Sequence, residues 1–82
     1  MDSKEIRARL AKRPFQPFRV HLTCDRNYDI YFPEINLITQ STLVIGVPVP
    51  DDPDPVADRF IHVPVTDVVR LEPLPQIEST SR

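Results

Sequence analysis

The chain has 82 residues, about 40% of them apolar and 27% charged, which is enough to fill one modest core and no second one. Ten prolines against one glycine exclude a long helical bundle, because proline removes a helix hydrogen-bond donor, and they exclude glycine-rich loops that bind phosphate. The single cysteine, Cys24, excludes an intramolecular disulfide and a zinc site built on paired cysteines.

The net charge of −2 is unevenly distributed along the chain. Residues 1–26 carry seven lysines and arginines against three carboxylates, whereas residues 27–82 carry three against nine. Such an asymmetric chain can bind an anion through its N-terminal part, pair head to tail with a second copy, or simply stay in solution. The charge pattern alone leaves these three interpretations open.

The sequence shows no targeting or membrane segment. Met1–Glu5 has no apolar core of a signal peptide, and no run approaches the roughly 18 apolar residues of a spanning helix. With its lone cysteine, the chain is therefore expected to be a reduced cytoplasmic protein that makes no membrane contact.

Residues 3–13 are predicted to form an α-helix. Asp2 or Ser3 can serve as the N-cap, since either side chain can accept a hydrogen bond from the first turn. Ile6 and Leu10 stand four residues apart and form one narrow apolar stripe for docking on a sheet. The helix is expected to end before Pro14, because proline disfavours helical geometry in the residue that precedes it.

The segment Pro14–Phe18 is predicted to be a stiff, extended connector. Its two phenylalanines, flanked by prolines, favour a role in anchoring the helix to the core. The alternative, a proline-rich ligand for a recognition domain, is less consistent with aromatics inside the motif.

Apolar and polar residues alternate from Phe18 onward, which is the period of a half-buried strand. Strands are predicted at about 18–24, 27–32, 36–39, 42–47, 58–63 and 68–72. Polar residues between the first two strands, and between the next two, indicate two hairpins.

Proline and aspartate punctuate the second half of the chain. Pro48–Ala57 contains four prolines and three aspartates, and it is predicted to be a surface loop that forms neither helix nor sheet. Pro64–Asp67 is predicted to be a tight turn before the last strand. Residues 1–75 are expected to form one domain and residues 76–82 a flexible tail.

One helix followed by short strands, the last two separated by a tight turn, resembles the Sm-like small barrel of the bacterial RNA chaperones. The resemblance is a pattern of apolar positions within residues 4–72, in Val20–Leu22, Leu43–Val47, Phe60–Val63 and Val65–Val69. It implies a mainly β fold: a small five-stranded antiparallel barrel, Sm-like or SH3-like, with one N-terminal helix. Of the positions at which the bacterial Sm-like proteins bind RNA, His62 alone carries over.

The chain is also similar to a group of short uncharacterised bacterial proteins. This similarity lies in Pro14–Arg19 and Val68–Pro73. The resemblance implies that the protein is bacterial, and it does not indicate any activity.

The titratable residues form no constellation typical of catalysis or of a metal or cofactor site. Asp51, Asp52 and Asp54 are close in sequence, but in a proline loop they face solvent, so nothing prepares them for acid–base work. His21 and His62 supply two ligands at most, fewer than a structural zinc site needs. We therefore expect no catalytic residue, no metal and no cofactor.

The expected function is a non-enzymatic interaction module that forms a homo-oligomer or binds a protein partner. The alternative is an Sm-like RNA-binding protein, with the basic helix and Tyr31 as contacts. The candidate interaction surface comprises basic and aromatic residues together with the acidic loop: Arg7, Arg9, Arg13, Tyr31, His62, Asp51, Asp52 and Asp54.

Overall fold

The fold is seen in a computed structural model that describes residues 2–75. These residues form one α-helix, six strands and two short 3-10 helices. The elements are α1 (Ser3–Ala11), β1 (Phe18–Leu22), β2 (Asn27–Ile30), β3 (Leu37–Ile38), β4 (Thr42–Pro48), β5 (Ala57–Pro64) and β6 (Val68–Pro73), with the 3-10 helices at Pro33–Ile35 and Val65–Asp67. The tail predicted at residues 76–82 lies outside the described residues.

The six strands pair as two antiparallel three-stranded sheets. The first sheet has the order β2-β1-β6 and the second the order β3-β4-β5. The prediction of a mainly β chain with one N-terminal helix is confirmed. A closed barrel of five strands is not what the described residues form, because the 3-10 helix Pro33–Ile35 interrupts the chain and carries it from one sheet to the other.

Both predicted hairpins are present. Val20 lies opposite Tyr28 in the first hairpin, and Leu43 lies opposite Ile38 in the second. β1 ends at Leu22, two residues earlier than predicted, because the turn begins at Thr23. Asp25 in that turn has a φ of 65°, a backbone angle that aspartate tolerates better than most residues.

The helix is capped at both ends by side chains. Of the two N-cap candidates, Asp2 takes this role: its carboxylate accepts a hydrogen bond from the Lys4 amide at 3.0 Å. α1 ends at Ala11, two residues earlier than predicted, since Lys12 already has an extended ψ of 138°. The Arg13 guanidinium donates to the carbonyl oxygens of Leu10 and Lys12, at 3.0 and 2.8 Å.

One core lies between the helix and the two sheets. Its buried members come from α1, from both sheets and from the second 3-10 helix: Ile6, Phe18, Val20, Ile30, Leu43, Ile45, Val63, Val65 and Val68. The connector anchors the helix as predicted, because Phe18 is fully buried and the Phe15 ring packs 6.1 Å from it, centroid to centroid. The connector is also tied to the far end of the chain, where the Leu74 amide donates to the Pro17 carbonyl.

The proline-rich loop is shorter than predicted. Pro48 ends β4 opposite Ala57, and the Val49 amide donates to the Val56 carbonyl at 2.9 Å. Amide groups along a strand alternate in direction, so the nitrogen of Pro48 points away from β5. The N–H that proline lacks therefore removes no hydrogen bond between β4 and β5. The prediction that the whole of Pro48–Ala57 avoids sheet pairing is therefore wrong at both ends.

A buried asparagine fixes the junction between the sheets. The Asn36 side-chain amide donates to the Phe32 carbonyl at 2.6 Å, and its side-chain oxygen accepts from the Gly46 amide at 3.2 Å. Asn36 is 7% exposed, so both bonds are largely shielded from water. This side chain holds the first 3-10 helix against β4.

Candidate interaction surface

The outer face of the second sheet carries apolar side chains, of which Leu37 and Phe60 are open to solvent and Val44 is half-buried. Leu43 and Ile45 of β4 are buried, so the residues between and beyond them lie on the opposite face. Val44 lies opposite Leu37 of β3, and Gly46 lies opposite Phe60 of β5. Leu37 is 64% exposed and Phe60 is 53% exposed.

We call Leu37, Val44 and Phe60 the apolar face. His62 lies on the same side of the sheet, since it is opposite Val44. Neighbouring exposed apolar side chains are a common property of surfaces that bind another protein, whereas isolated ones are ordinary.

Among the described strands, β5 is also an edge strand, with a neighbour on one side only. The Val65 amide donates to the Ser41 carbonyl at 2.8 Å, on the β4 side. Backbone groups alternate in direction along a strand, so Val63 and Ile61 also point toward β4. The N–H and C=O groups of Phe60 and His62 then point away from β4, toward a side where no described strand lies.

The two ends of this edge are protected against further pairing, but its centre is not. Pro64 supplies no N–H at one end, and a bulge shifts the β4–β5 register at the other, between Ala57 and Arg59. Prolines and bulges are common ways of protecting an exposed strand edge. Arg59–Val63 stays regularly paired with β4, and we call its open side the free edge.

The outer face of the first sheet is charged rather than apolar. The Arg19 guanidinium binds the Asp29 carboxylate through two contacts, at 2.6 and 3.2 Å, from β1 to β2. On the other side of β1, His21 Nε2 lies 2.8 Å from Glu72 Oε1 of β6. The Arg70 guanidinium lies 3.9 Å from the same carboxylate.

This network lowers the pKa of Glu72. The hydrogen bond with His21 is the largest cause, and Arg70 adds to it through its charge. Since the pKa in the folded chain lies below the ordinary 4.5, ionised Glu72 stabilises the fold at pH values above 4.5. That contribution is lost as the pH falls through the lowered pKa.

Glu72→Gln is therefore expected to make the fold less sensitive to acid. The melting temperature of the native chain should fall further between about pH 6 and about pH 3 than that of the variant, as followed by circular dichroism. Glu34→Gln is the control, because Glu34 is exposed on the first 3-10 helix and lies outside the network. Equal acid losses in the native chain and in Glu72→Gln would contradict the assignment.

The predicted surface residues lie on four separate parts of the fold. Arg7, Arg9 and Arg13 are on or just after α1, Tyr31 follows β2, His62 is on β5, and Asp51, Asp52 and Asp54 are in the β4–β5 loop. Within the described residues, the one hydrogen bond among them is donated by the Asp54 amide to the Asp52 carboxylate at 3.0 Å. Within residues 2–75, none of these three arginines forms an ion pair with the acidic loop.

The sequence did not predict Phe60 and Leu37 as surface contacts. Phe60 lies two residues before His62 on β5, and Leu37 lies opposite Val44 on the apolar face. A signal for Phe60 was present, because it shares the outward phase of its strand with His62 while Ile61 and Val63 point inward. Leu37 belongs to a strand of two residues, in which alternation cannot be detected.

The remaining polar sites form no metal centre in the described range. No group of three or more His, Cys, Asp and Glu side chains in residues 2–75 is placed to hold a metal ion.

An open cleft of about 290 Å³ near the first hairpin is lined by His21, Arg26 and Arg70, among others. Another, of about 270 Å³, lies where β2 faces the end of β4.

Comparisons with known proteins find no relative. No family model matches the chain, and no curated protein or solved structure does either. Within residues 2–75, no helix has the length and apolar character needed to cross a membrane. The functional argument therefore rests on the geometry of the apolar face and the free edge.

Proposed function

We propose that the protein is a non-enzymatic interaction and oligomerisation module that works through the free edge of β5. The observation that carries this proposal is that the backbone groups of Phe60 and His62 face no described strand and lie beside the exposed Phe60 ring. Backbone groups on a strand edge bind an added strand by main-chain hydrogen bonds, and adjacent side chains supply contact area.

Energetic considerations also support association. A domain of this length gains little net stability from its core, since the ordering entropy of the chain nearly offsets the burial of apolar area. Small domains often obtain their margin from a partner. Pairing at β5 would bury Phe60 and satisfy its backbone groups at the same time.

Phe60→Lys is expected to abolish association. A lysine at this position adds a charge to the apolar face without touching the core, because Phe60 is 53% exposed. Light scattering after size exclusion should show a native mass that rises with concentration and a variant that stays monomeric.

Val69→Lys is the matched control. Val69 is 55% exposed and lies on β6, in the other sheet. This variant should associate like the native chain. A native chain that is strictly monomeric at every concentration would refute the proposal, and dissociation by Val69→Lys would refute the assignment to β5.

We also propose that the two sheets form an open small barrel of the Sm-like or SH3-like type. Its support is the path of the chain. β1 and β2 lie in the first sheet, β3, β4 and β5 in the second, and the 3-10 helix Val65–Asp67 returns the chain to β6 beside β1. The resemblance in apolar pattern and this path agree.

The RNA-binding alternative has narrower support. Arg7 is exposed on α1 and Tyr31 is 37% exposed, so both are accessible to a ligand. Arg13, by contrast, is hydrogen-bonded to the backbone carbonyls at the end of the helix.

Titration with a labelled oligouridine distinguishes RNA binding from protein association. An RNA-binding protein would bind the oligouridine strongly at low salt and more weakly with added salt, and the double variant Arg9→Ala plus Arg13→Ala would bind it less well.

A further inference from the structure

We infer that the occupant of the free edge is a second copy of this chain, paired antiparallel through β5 about a two-fold axis at Phe60. In this arrangement the two Phe60 residues lie opposite each other, and Asp58 of each copy lies opposite His62 of the other. The inference rests on the proposed function and names its partner and register.

The backbone allows a small number of two-fold registers. In an antiparallel ladder, two residues exchange both hydrogen bonds when each points its N–H and C=O toward the other strand. On the free edge these residues are Phe60 and His62. A two-fold axis can therefore lie at the Phe60 pair, at the His62 pair, or between them.

The side chains favour the axis at Phe60. It makes an aromatic cross-strand pair and places two Asp58–His62 pairs beside it, and both kinds of pair stabilise antiparallel strands. An axis at His62 would set two imidazole side chains opposite each other and leave Asp58 without His62 as its partner. An axis between the two would leave Asp58 opposite Pro64.

Asp58 is available for this contact because of the bulge. The register passes from Arg59 opposite Val47 to Ala57 opposite Pro48, so Asp58 has no residue opposite it on β4. Its side chain is exposed. The bulge ends the regular alternation of the strand at Arg59, so Asp58 adds no backbone bond at the free edge, and its contribution to the contact is the exposed carboxylate beside His62 of the other copy.

The free edge of β6 is the competing partner, and it fits less well. The Leu74 amide points to the Pro17 carbonyl on the β1 side, so by alternation Leu71 and Pro73 point to the open side of β6. Pro73 has no N–H to donate. A β5–β6 contact would also join unlike surfaces and extend to rings or fibres, whereas β5 on β5 closes at two.

Exchanging Asp58 and His62 tests the register. His62→Asp alone sets like charges opposite each other twice in each dimer and is expected to raise the dissociation constant by about tenfold or more. Asp58→His combined with His62→Asp restores both opposite pairs and is expected to return it to within about threefold of the native value. Both residues are exposed, so the circular dichroism of all variants should match the native spectrum.

Disulfide trapping tests the axis directly. In a Cys24→Ser background, Phe60→Cys is expected to form a covalent dimer on oxidation, since Cα atoms of hydrogen-bonded pairs are about 5.5 Å apart, within the range of a disulfide. His62→Cys in the same background is the matched control, because position 62 faces position 58 and not itself. It should remain monomeric on a non-reducing gel.

The outcomes separate this inference from the proposed function. Trapping of Phe60→Cys together with rescue by the double exchange supports both. A native dimer that is neither trapped at position 60 nor rescued, or one trapped at position 62, overturns the register and leaves the interaction module standing. A native chain that is strictly monomeric overturns both.

Discussion

Phe18→Ala is expected to lower the free energy of unfolding by about 3–5 kcal/mol. The Phe18 side chain is fully buried at the start of β1, where it packs with the Phe15 ring. A chain of this length has a total stability of about 4–12 kcal/mol. The substitution therefore removes a large share of the stability, and the melting temperature should fall by about 12 °C or more.

Phe60→Ala is the matched control, because it deletes the same atoms at a position that is 53% exposed. At a concentration where the native chain is monomeric, this variant should change the free energy of unfolding by less than about 1 kcal/mol. Urea denaturation followed by circular dichroism measures both values. Equal effects of the two substitutions would mean that the core is not centred on Phe18.

Local patterns were sufficient to predict most elements of the fold. Every predicted strand end lies within two residues of the observed one, and the polar turns identified both hairpins. The cap at Asp2 and the anchoring role of Phe18 followed from the same local reasoning. These features depend on residues a few positions apart, which is the range over which a sequence pattern is informative.

The partition into two sheets was not predictable in this way. The partition depends on Asn36, whose side chain accepts a hydrogen bond from the Gly46 amide ten residues later. It also depends on the 3-10 helix Pro33–Ile35, which cannot be distinguished in the sequence from an ordinary loop between strands. The charged network was not predictable for the same reason, since Glu72 and His21 are 51 residues apart in the sequence. Such contacts depend on the tertiary arrangement rather than on local periodicity.

The candidate site was predictable in part. His62 and the association of the chain were proposed from the sequence, and the structure places His62 next to the free edge. The free edge itself depends on which strand lies outermost in its sheet, and that order is not visible in alternation. The apolar face depends on the pairing of Leu37 with Val44, across a hairpin whose register the turn decides.

Gly46→Ala is expected to destabilise the fold, against the ordinary trend for a glycine in a strand. Alanine there usually gains about 0.5–1 kcal/mol, because glycine loses more backbone freedom on folding. At Gly46, however, an added Cβ would overlap the carbonyl oxygen of Ile35. That obstacle is backbone and cannot rotate away, so the cost of overpacking, about 1–3 kcal/mol or more, exceeds the gain.

A double-mutant cycle with Asn36→Ala tests this cause. Asn36→Ala alone leaves the Phe32 carbonyl and the Gly46 amide without their partner, and should cost about 2–4 kcal/mol. Once that side chain no longer holds the 3-10 helix against β4, the Ile35 carbonyl can retreat and admit the Cβ of the alanine. The two substitutions should therefore cost less together than the sum of their separate effects, as measured by urea denaturation. Strict additivity would show that the clash does not depend on the tether, and a stabilising Gly46→Ala would show that Ile35 does not lie over β4 at all.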